Sequence, residues 1–350
     1  MPTTFLIYGA YGYTGELIAR RAVQRGHAPR LAGRDEAKLK PLALELGLPY
    51  ETFELAETTK LDESLGRVDA VLHCAGPFSR TARTVVDACL RHRKHYLDIT
   101  GEVDVFEWIA TRHEAARRAG VVLLPGTGFD VVPSDCLAAH LRRRLPDAEW
   151  LELALQGPGR VSRGTALTMV EGMTKGGLIR QNGALKKVPT AFRTRKIPFG
   201  GGQQLAASIP WGDVATAYYS TGIPNVIVYL AVTPSMRRGM WALRYLGWLL
   251  QAKWIRALLK KRIRATLTGP DHQHRRTARS YLWGEARNRA GQTVTARLQT
   301  PEAYHLTATT ALLAMERVLA GGVTPGFQTP ARAFGPDFIL EVDGVKRDDE

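Results

Sequence analysis

The N-terminal residues 5–16 constrain this chain more than any other stretch. Phe5-Leu6-Ile7-Tyr8 is a short apolar run, Gly9-Ala10-Tyr11-Gly12-Tyr13-Thr14-Gly15 follows at once, and a helical pattern begins at Glu16. Strand, glycine turn and helix in this order make a dinucleotide cradle. Gly9 allows the tight turn, Gly12 leaves no side chain between the backbone and a pyrophosphate, and Gly15 lets the helix pack close to the strand. The helix N-terminus offers free N–H groups and a partial positive charge to phosphates. The spacing is Gly-x-x-Gly-x-x-Gly rather than Gly-x-Gly-x-x-Gly. An ordinary strand–helix turn is the plainer alternative, and the flanking strand and helix argue against it.

The next strand bears on the cofactor. Pro29–Ala32 reads as the second strand, Gly33 ends it and Arg34 lies just beyond. A carboxylate near this point would pair with the ribose hydroxyls of NAD and repel the 2′-phosphate of NADP, whereas an arginine attracts that phosphate. Arg34 therefore argues for NADP(H), with Lys38 one helical turn on as a second positive contact. Asp35 is the opposing signal, and it reads as the N-cap of a helix over Glu36–Leu46.

Such a turn belongs to a doubly wound α/β fold, and the residues up to about 130 continue the pattern. Strands are expected at Tyr50–Glu54, Ala70–Cys74, His95–Ile99 and Val121–Leu124, with helices between them at Arg80–Arg93 and Val103–Ala119. Near Pro146 the pattern changes to an α+β one. Strands are expected there at Trp150–Gln156, Leu205–Ile209, Val226–Thr233, Ala278–Ala286 and Thr293–Leu298. The glycines Gly200-Gly201-Gly202 and the stretch Thr221–Asn225 read as turns. A last helix, Pro301 to Ala320, is expected to pack back on the first domain, and Lys346–Glu350 to fray. The expected class is α/β, a Rossmann-type doubly wound parallel sheet with a second α+β domain. The domain reading is 1–145 for the NADP-binding domain and 146–300 for a substrate domain. Residues 301–350 form a helix and tail returning to the first. A length of 350 residues fits two domains.

Three loops fall at the expected strand ends. His73-Cys74-Ala75-Gly76-Pro77-Phe78 has small residues that allow close approach to a nicotinamide ribose. Tyr96–Glu102 carries the carboxylates Asp98 and Glu102. Gly126–Asp135 contains Gly128, Phe129 and Asp130 and leads into a helix near Pro133. Each also has a structural reading: Glu102 as a residue favouring the helix start at Val103, Asp130 or Ser134 as a helix cap, His73 as a core histidine. The candidates for proton donation are Asp98, Glu102, Tyr218 and Tyr219, unranked. No histidine pair, neither His92/His95 nor His272/His274, has a third ligand at useful spacing, so no metal is expected. The three cysteines, Cys74, Cys89 and Cys136, lack paired spacing and fit a reducing compartment. No signal peptide and no membrane-spanning run is expected.

These motifs resemble the saccharopine dehydrogenase-like oxidoreductases, a family that includes trans-acting enoyl reductases. The resemblance rests on Tyr8–Gly15, Ala32-Gly33-Arg34, Ala75–Phe78, Tyr96–Glu102 and Gly128–Asp135, and more loosely on Thr221–Asn225 and Gly326–Pro330. Tyr11 stands where the family commonly has threonine. The resemblance implies an NADP-binding domain with a second α/β domain and hydride transfer to or from a C=N, C=O or C=C bond. It does not imply saccharopine itself. The arginines that could neutralise its carboxylates, Arg160, Arg163 and Arg180, show no clamp-like spacing.

The net charge of +15 is uneven: residues 236–264 hold nine basic residues, no acidic one, and Trp241, Trp248 and Trp254. As an amphipathic helix this stretch suits an anionic membrane surface. As a peripheral helix it has one packed and one solvated face. No recognition motif accompanies the charge, so no nucleic acid is expected. The substrate is then a small molecule or lipid, a homodimer stays open, and the expected localisation is cytoplasmic, peripheral on the inner face of a membrane. A cofactor sensor without turnover and a membrane-tethered binding protein are the competing classes.

Overall fold

The computed structural model describes residues 4–157, 176–246 and 278–350. It divides into two units, Met1–Val132 with Tyr304–Gly335, and Pro133–Ala303 with Pro336–Glu350. Most of the basic stretch, residues 247–264, lies outside the described residues, as do Arg160, Arg163, His272 and His274.

The first unit is built on β1 (Phe5–Tyr8), β2 (Arg30–Gly33), β3 (Tyr50–Thr52), β4 (Ala70–His73), β5 (His95–Asp98) and β6 (Val122–Leu124). Their order is β6-β5-β4-β1-β2-β3, and a late strand, β15 (Gly326–Phe327), extends the sheet beyond β6. All of these pairings are parallel. The α/β doubly wound expectation is therefore met. Every residue of β1 and β4 is buried, as a parallel sheet covered on both faces requires. The order reverses at β1, so the crevice of the sheet opens at the C-terminal ends of β1 and β4.

The helices in the N-terminal part of this unit are α1 (Tyr13–Gln24), α2 (Glu36–Leu46), α3 (Thr58–Leu65), α4 (Phe78–His92), α5 (Val103–Ala110) and α6 (His113–Ala119). One helix was expected over Val103–Ala119, and two are found. The Thr111 hydroxyl donates to the Trp108 carbonyl at 2.6 Å, and the Thr111 and Arg112 N–H groups bond three residues back. A threonine bonding its own turn in this way competes with helix continuation. The second unit begins with α7 (Val132–Arg144), whose first residue still belongs to the first.

The second unit is a mixed sheet. Its central strands are β7 (Trp150–Gln156), β12 (Asn225–Ala231), β13 (Arg279–Arg287) and β14 (Thr293–Pro301). β12 runs parallel to β7, and β13 pairs antiparallel with both β7 and β14. Leu151, Leu153 and Leu155 are buried on the face that receives α7. A Cβ at Gly284 would stand 2.7 Å from Leu141 of that helix, so glycine there permits direct helix–sheet contact.

Several elements were not expected. β8 (Gly177–Gln181) and β9 (Ala184–Val188) form a hairpin through Asn182-Gly183, both at positive φ. That dipeptide is the preferred turn of a two-residue hairpin and is the signal that was overlooked. β10 (Thr194–Pro198) is a further unexpected strand; it pairs with β11 (Gln203–Ser208), which overlaps the strand expected at Leu205–Ile209. Helix α8 (Asp213–Thr221) precedes β12 and was not expected, whereas α9 (Pro234–Leu246) follows β12 and covers the start of the helix expected from Met236.

The C-terminus corrects another expectation. The helix α10 (Ala303–Leu319), from Tyr304 on, and the short α11 (Pro330–Phe334) belong to the first unit, but Pro336–Glu350 belongs to the second. The tail is not frayed: β16 (Lys346–Asp349) pairs antiparallel with β14. Asp349 is held by a hydrogen bond with His140 at 2.6 Å and an ion pair with Arg144 at 3.1 Å, and these contacts anchor a strand that lacks apolar residues.

Candidate functional site

The glycine turn divides its labour among three residues. At Gly9 (φ +86°) an added Cβ would lie 2.9 Å from the Ala75 Cβ, so Gly9 lets the β1 and β4 loops touch. At Gly15 it would lie 2.4 Å from the Gly9 carbonyl oxygen, a backbone clash, so Gly15 sets the close start of α1. At Gly12 the one neighbour is that same oxygen, at 3.1 Å. Gly12 is also the N-cap of α1, without a side-chain capping hydrogen bond. The helix therefore starts with N–H groups that no capping side chain covers, beside a residue with no Cβ. That is a cradle fit for a pyrophosphate. Ala10 is buried beneath it, and its N–H and that of Gly9 both donate to the Ala32 carbonyl. Thr14 lies in the first turn of α1, and Tyr13 packs edge-on against Tyr304.

At the end of β2, Gly33 lies under the Tyr11 ring; a Cβ there would stand 2.5 Å from its Cε1. Arg34 is exposed and makes no hydrogen bond or ion pair with the described residues. Lys38 pairs with Asp35 and lies 5.8 Å from the Tyr11 ring centre, so its charge is shared with a neighbouring carboxylate. Asp35 does occupy the N-cap position of α2.

The second loop, Cys74–Phe78, is tied down from both sides. Glu102 accepts from the Phe78 N–H at 2.7 Å and from the Ser79 N–H at 3.1 Å, the first two N–H groups of α4. Beneath the loop, the Thr81 hydroxyl donates to the Ala75 carbonyl at 2.8 Å and meets His73 Nε2 at 2.8 Å. Burial pushes the His73 imidazole down to about 3, so it is a neutral core residue. Gly76 and Pro77 are joined by a cis peptide bond, and burial raises the Cys74 thiol.

Asp98 is buried at the end of β5. One carboxylate oxygen accepts from the Thr100 N–H at 2.9 Å and the Gly126 N–H at 2.8 Å, the other from the Tyr96 hydroxyl at 2.7 Å. Burial outweighs these donors and pushes it up to about 6. Both Glu102 oxygens thus accept backbone N–H groups of the second loop, and Asp98 accepts two backbone N–H groups and the Tyr96 hydroxyl, so both carboxylates position loops. The local signal had allowed this for Glu102, but placed the cap on α5 rather than α4.

The third loop is braced by α10, the helix expected to return to this unit, through two threonines that sequence reasoning did not single out. Thr307 accepts from the Phe129 N–H at 3.0 Å, and Thr310 donates to the Thr127 carbonyl at 2.7 Å. Gly128 faces Thr307, where a Cβ would lie 2.8 Å from its methyl group. Asp130 lies against Gly101 and is pushed up to about 6 by burial. Tyr218 and Tyr219 are elsewhere, on α8 of the second unit. Their rings are 5.7 Å apart, and the Arg180 guanidinium lies 4.3 Å from Tyr218. Arg180 is buried and donates to the Val214 and Gly183 carbonyls, which makes it a structural cation. Among the described residues, no group of three or more His, Cys, Asp or Glu could share a metal ion.

The comparisons with known proteins agree with this geometry. Residues 5–124 match the family model "Saccharopine dehydrogenase NADP binding domain". The human saccharopine dehydrogenase-like oxidoreductase is 30% identical over 164 residues, 41% of this chain and 38% of that protein. A trans-acting enoyl reductase of Mycobacterium ulcerans is 31% identical over 157 residues, 43% of this chain and 38% of that protein. The match thus spans about two fifths of the length of these relatives. Among solved structures, apo saccharopine dehydrogenase (L-Glu forming) from Saccharomyces cerevisiae superposes with a TM-score of 0.69 at 14% identity. It covers 99% of this chain and 100% of that one, which shows a shared fold. Residues 5–124 thus match a saccharopine dehydrogenase NADP-binding domain, and the chain is similar over about two fifths of its length to the saccharopine dehydrogenase-like oxidoreductases.

Proposed function

We propose that this chain is an NADP(H)-dependent oxidoreductase acting on a C=C, C=O or C=N bond of a hydrophobic, lipid- or polyketide-like substrate. The observation that carries the reading is Arg34, an exposed guanidinium without a protein partner among the described residues, at the end of the strand beside the glycine cradle. In this reading Gly9–Gly15 hold the pyrophosphate and Arg34 the 2′-phosphate, with Lys38 assisting once it is drawn from Asp35. Cys74–Phe78 and Gly128–Asp130 line the nicotinamide end. The bound cofactor would supply or accept the hydride. Asp98 and Glu102 act as positioning residues that hold those two loops. Tyr218 and Tyr219 stay as candidates for the proton donor.

Fluorescence titration with NADPH and NADH, on the wild type and Arg34→Ala, tests the cofactor. NADPH should bind at least tenfold more tightly than NADH, and the difference should collapse in the variant. Equal affinities in the wild type would overturn the NADP(H) reading.

A membrane contact has its own support in the second unit. Met236 (50% exposed) and Trp241 (54%) of α9 and Phe192 (39%) are large apolar side chains in water. Arg237 and Arg238 share a groove with Phe192 and Trp241. Basic residues interleaved with exposed aromatics suit an anionic lipid surface. Co-sedimentation with phosphatidylglycerol vesicles should fall in Trp241→Ser/Phe192→Ser; vesicle binding that survives both changes would remove this reading.

A further inference from the structure

We propose that the second unit carries a binding site for a small anion, a molecule bearing a carboxylate or phosphate, in a cavity of about 420 Å³ on the sheet face opposite α7. The site is independent of the cofactor cradle and of the reaction proposed above.

Its floor follows from the strand register. Glu152 of β7 and Glu285 of β13 are direct partners across the antiparallel ladder. Like charges in that position repel, and only a bridging cation makes the pair tolerable. Arg195 of β10 is that cation. Its Nη1 lies 2.6 Å from Glu152 Oε2 and 2.9 Å from Glu285 Oε1, and its Nη2 lies 2.8 Å from Glu285 Oε2. The guanidinium stacks 4.6 Å over the ring of Trp283, which is 2% exposed. Both carboxylates are therefore already committed to one arginine, and a second cation has little to gain here.

The walls differ. Arg193 precedes Arg195 by two residues and Arg287 follows Glu285 by two, so strand alternation turns both toward the same face. Both line the cavity. Neither guanidinium makes a hydrogen bond or an ion pair with the described residues. Arg193 lies 5.7 Å from the ring of Phe192, and Arg287 lies 5.0 Å from the ring of Trp150. Stacking on a ring limits a guanidinium's freedom and leaves its N–H edge unspent. A carboxylate or phosphate matches that edge with two parallel hydrogen bonds. Arginines outnumber glutamates in the lining, so the cavity favours an anion as a whole.

The test is calorimetric titration of the full chain with inorganic phosphate and with succinate, in low-chloride buffer. Wild type, Arg193→Gln, Arg287→Gln and Arg118→Ala are compared. The Arg193 and Arg287 side chains are exposed and make no hydrogen bond to described residues, so their variants should melt with the wild type. Binding of either anion should weaken at least tenfold in each of these two variants. It should be unchanged in Arg118→Ala, which removes the same charge from the exposed face of α6 in the first unit. Two results overturn the proposal: no saturable binding of either anion to the wild type, or binding kept in both cavity variants.

Discussion

The Glu102 carboxylate receives the N–H of Phe78 at 2.7 Å, across 24 residues of sequence. A side chain at the end of one strand loop thereby caps the helix that follows another. The Cys74–Phe78 segment is held in place by its neighbour as well as by its own turn. Removing an N-cap costs about 1 kcal/mol. Glu102→Ala should lower Tm by about 2–4 °C and weaken NADPH binding in the same titration. Glu102→Gln, which keeps one acceptor oxygen, should recover most of both. A variant with unchanged Tm and NADPH affinity but no turnover would instead make Glu102 the proton donor.

Gly12 and Gly15 should separate folding from binding. A Cβ at Gly15 meets backbone at 2.4 Å, which nothing nearby can relieve by a rotamer change. Gly15→Ala is expected to destabilise the first unit by several kcal/mol, on the order of an overpacked core. Gly12→Ala meets only one oxygen at 3.1 Å and should fold, with a Tm within a few degrees of the wild type. Its methyl group would fill the space beside the helix start, so NADPH affinity should fall more than tenfold. Melting curves and titrations on the two variants check both statements.

Asp98 makes a pH prediction with a definite sign. Burial raises its carboxyl from 3.8 to about 6, so the folded state holds its proton more tightly than the unfolded chain. Its contribution to stability is then greatest below pH 4 and falls as pH rises toward 6. The swing is on the order of 2–3 kcal/mol. Relative to Asp98→Asn, which keeps the shape of the hydrogen-bond network, the wild type should lose Tm between pH 4 and 6 and run parallel above. A difference curve that rises over this interval would mean that the three donors outweigh desolvation and the carboxylate is stabilised as the anion.

Removing residues 346–350 takes away β16 and with it the His140–Asp349 pair at 2.6 Å. β14 would become an open edge carrying alternate unpaired N–H and C=O groups, which favours association between chains. The truncated protein should melt several degrees lower and elute partly as aggregate in size-exclusion chromatography. Its NADPH affinity should be that of the wild type, because the cradle lies in the other unit. Loss of cofactor binding on truncation would contradict that separation.

The parts of the fold legible in the sequence are those that carry their own local signal. Phe5–Tyr8, Glu36–Leu46 and Trp150–Gln156 fall where expected, because apolar runs and caps sit side by side in the chain. β9 is hidden because Ala184–Val188 is largely exposed, with two lysines and no apolar alternation. β16 is hidden because Lys346–Asp349 is wholly charged, its place fixed by His140 and Arg144 from far upstream. α8 is hidden by a sequence rich in threonine, tyrosine and serine that shows no apolar stripe. At the candidate site, the placement of the glycines between β1 and α1 and of Arg34 after β2 could be read directly from strand and turn chemistry. The roles of Asp98 and Glu102 could not. A carboxylate in a loop looks the same whether it faces a substrate or the N–H groups of a segment 24 or 28 residues away.

The return of the chain to its first unit has a consequence for biosynthesis. β15, which covers the edge of β6, lies at residues 326–327, and the threonines that brace the third loop lie on α10. When residue 132 leaves the ribosome, the nucleotide-binding sheet still has an open flank. It stays open while residues 133–303 of the second unit are being synthesised. The last-made residues of that sheet, not its first, therefore time the appearance of a cofactor-competent protein.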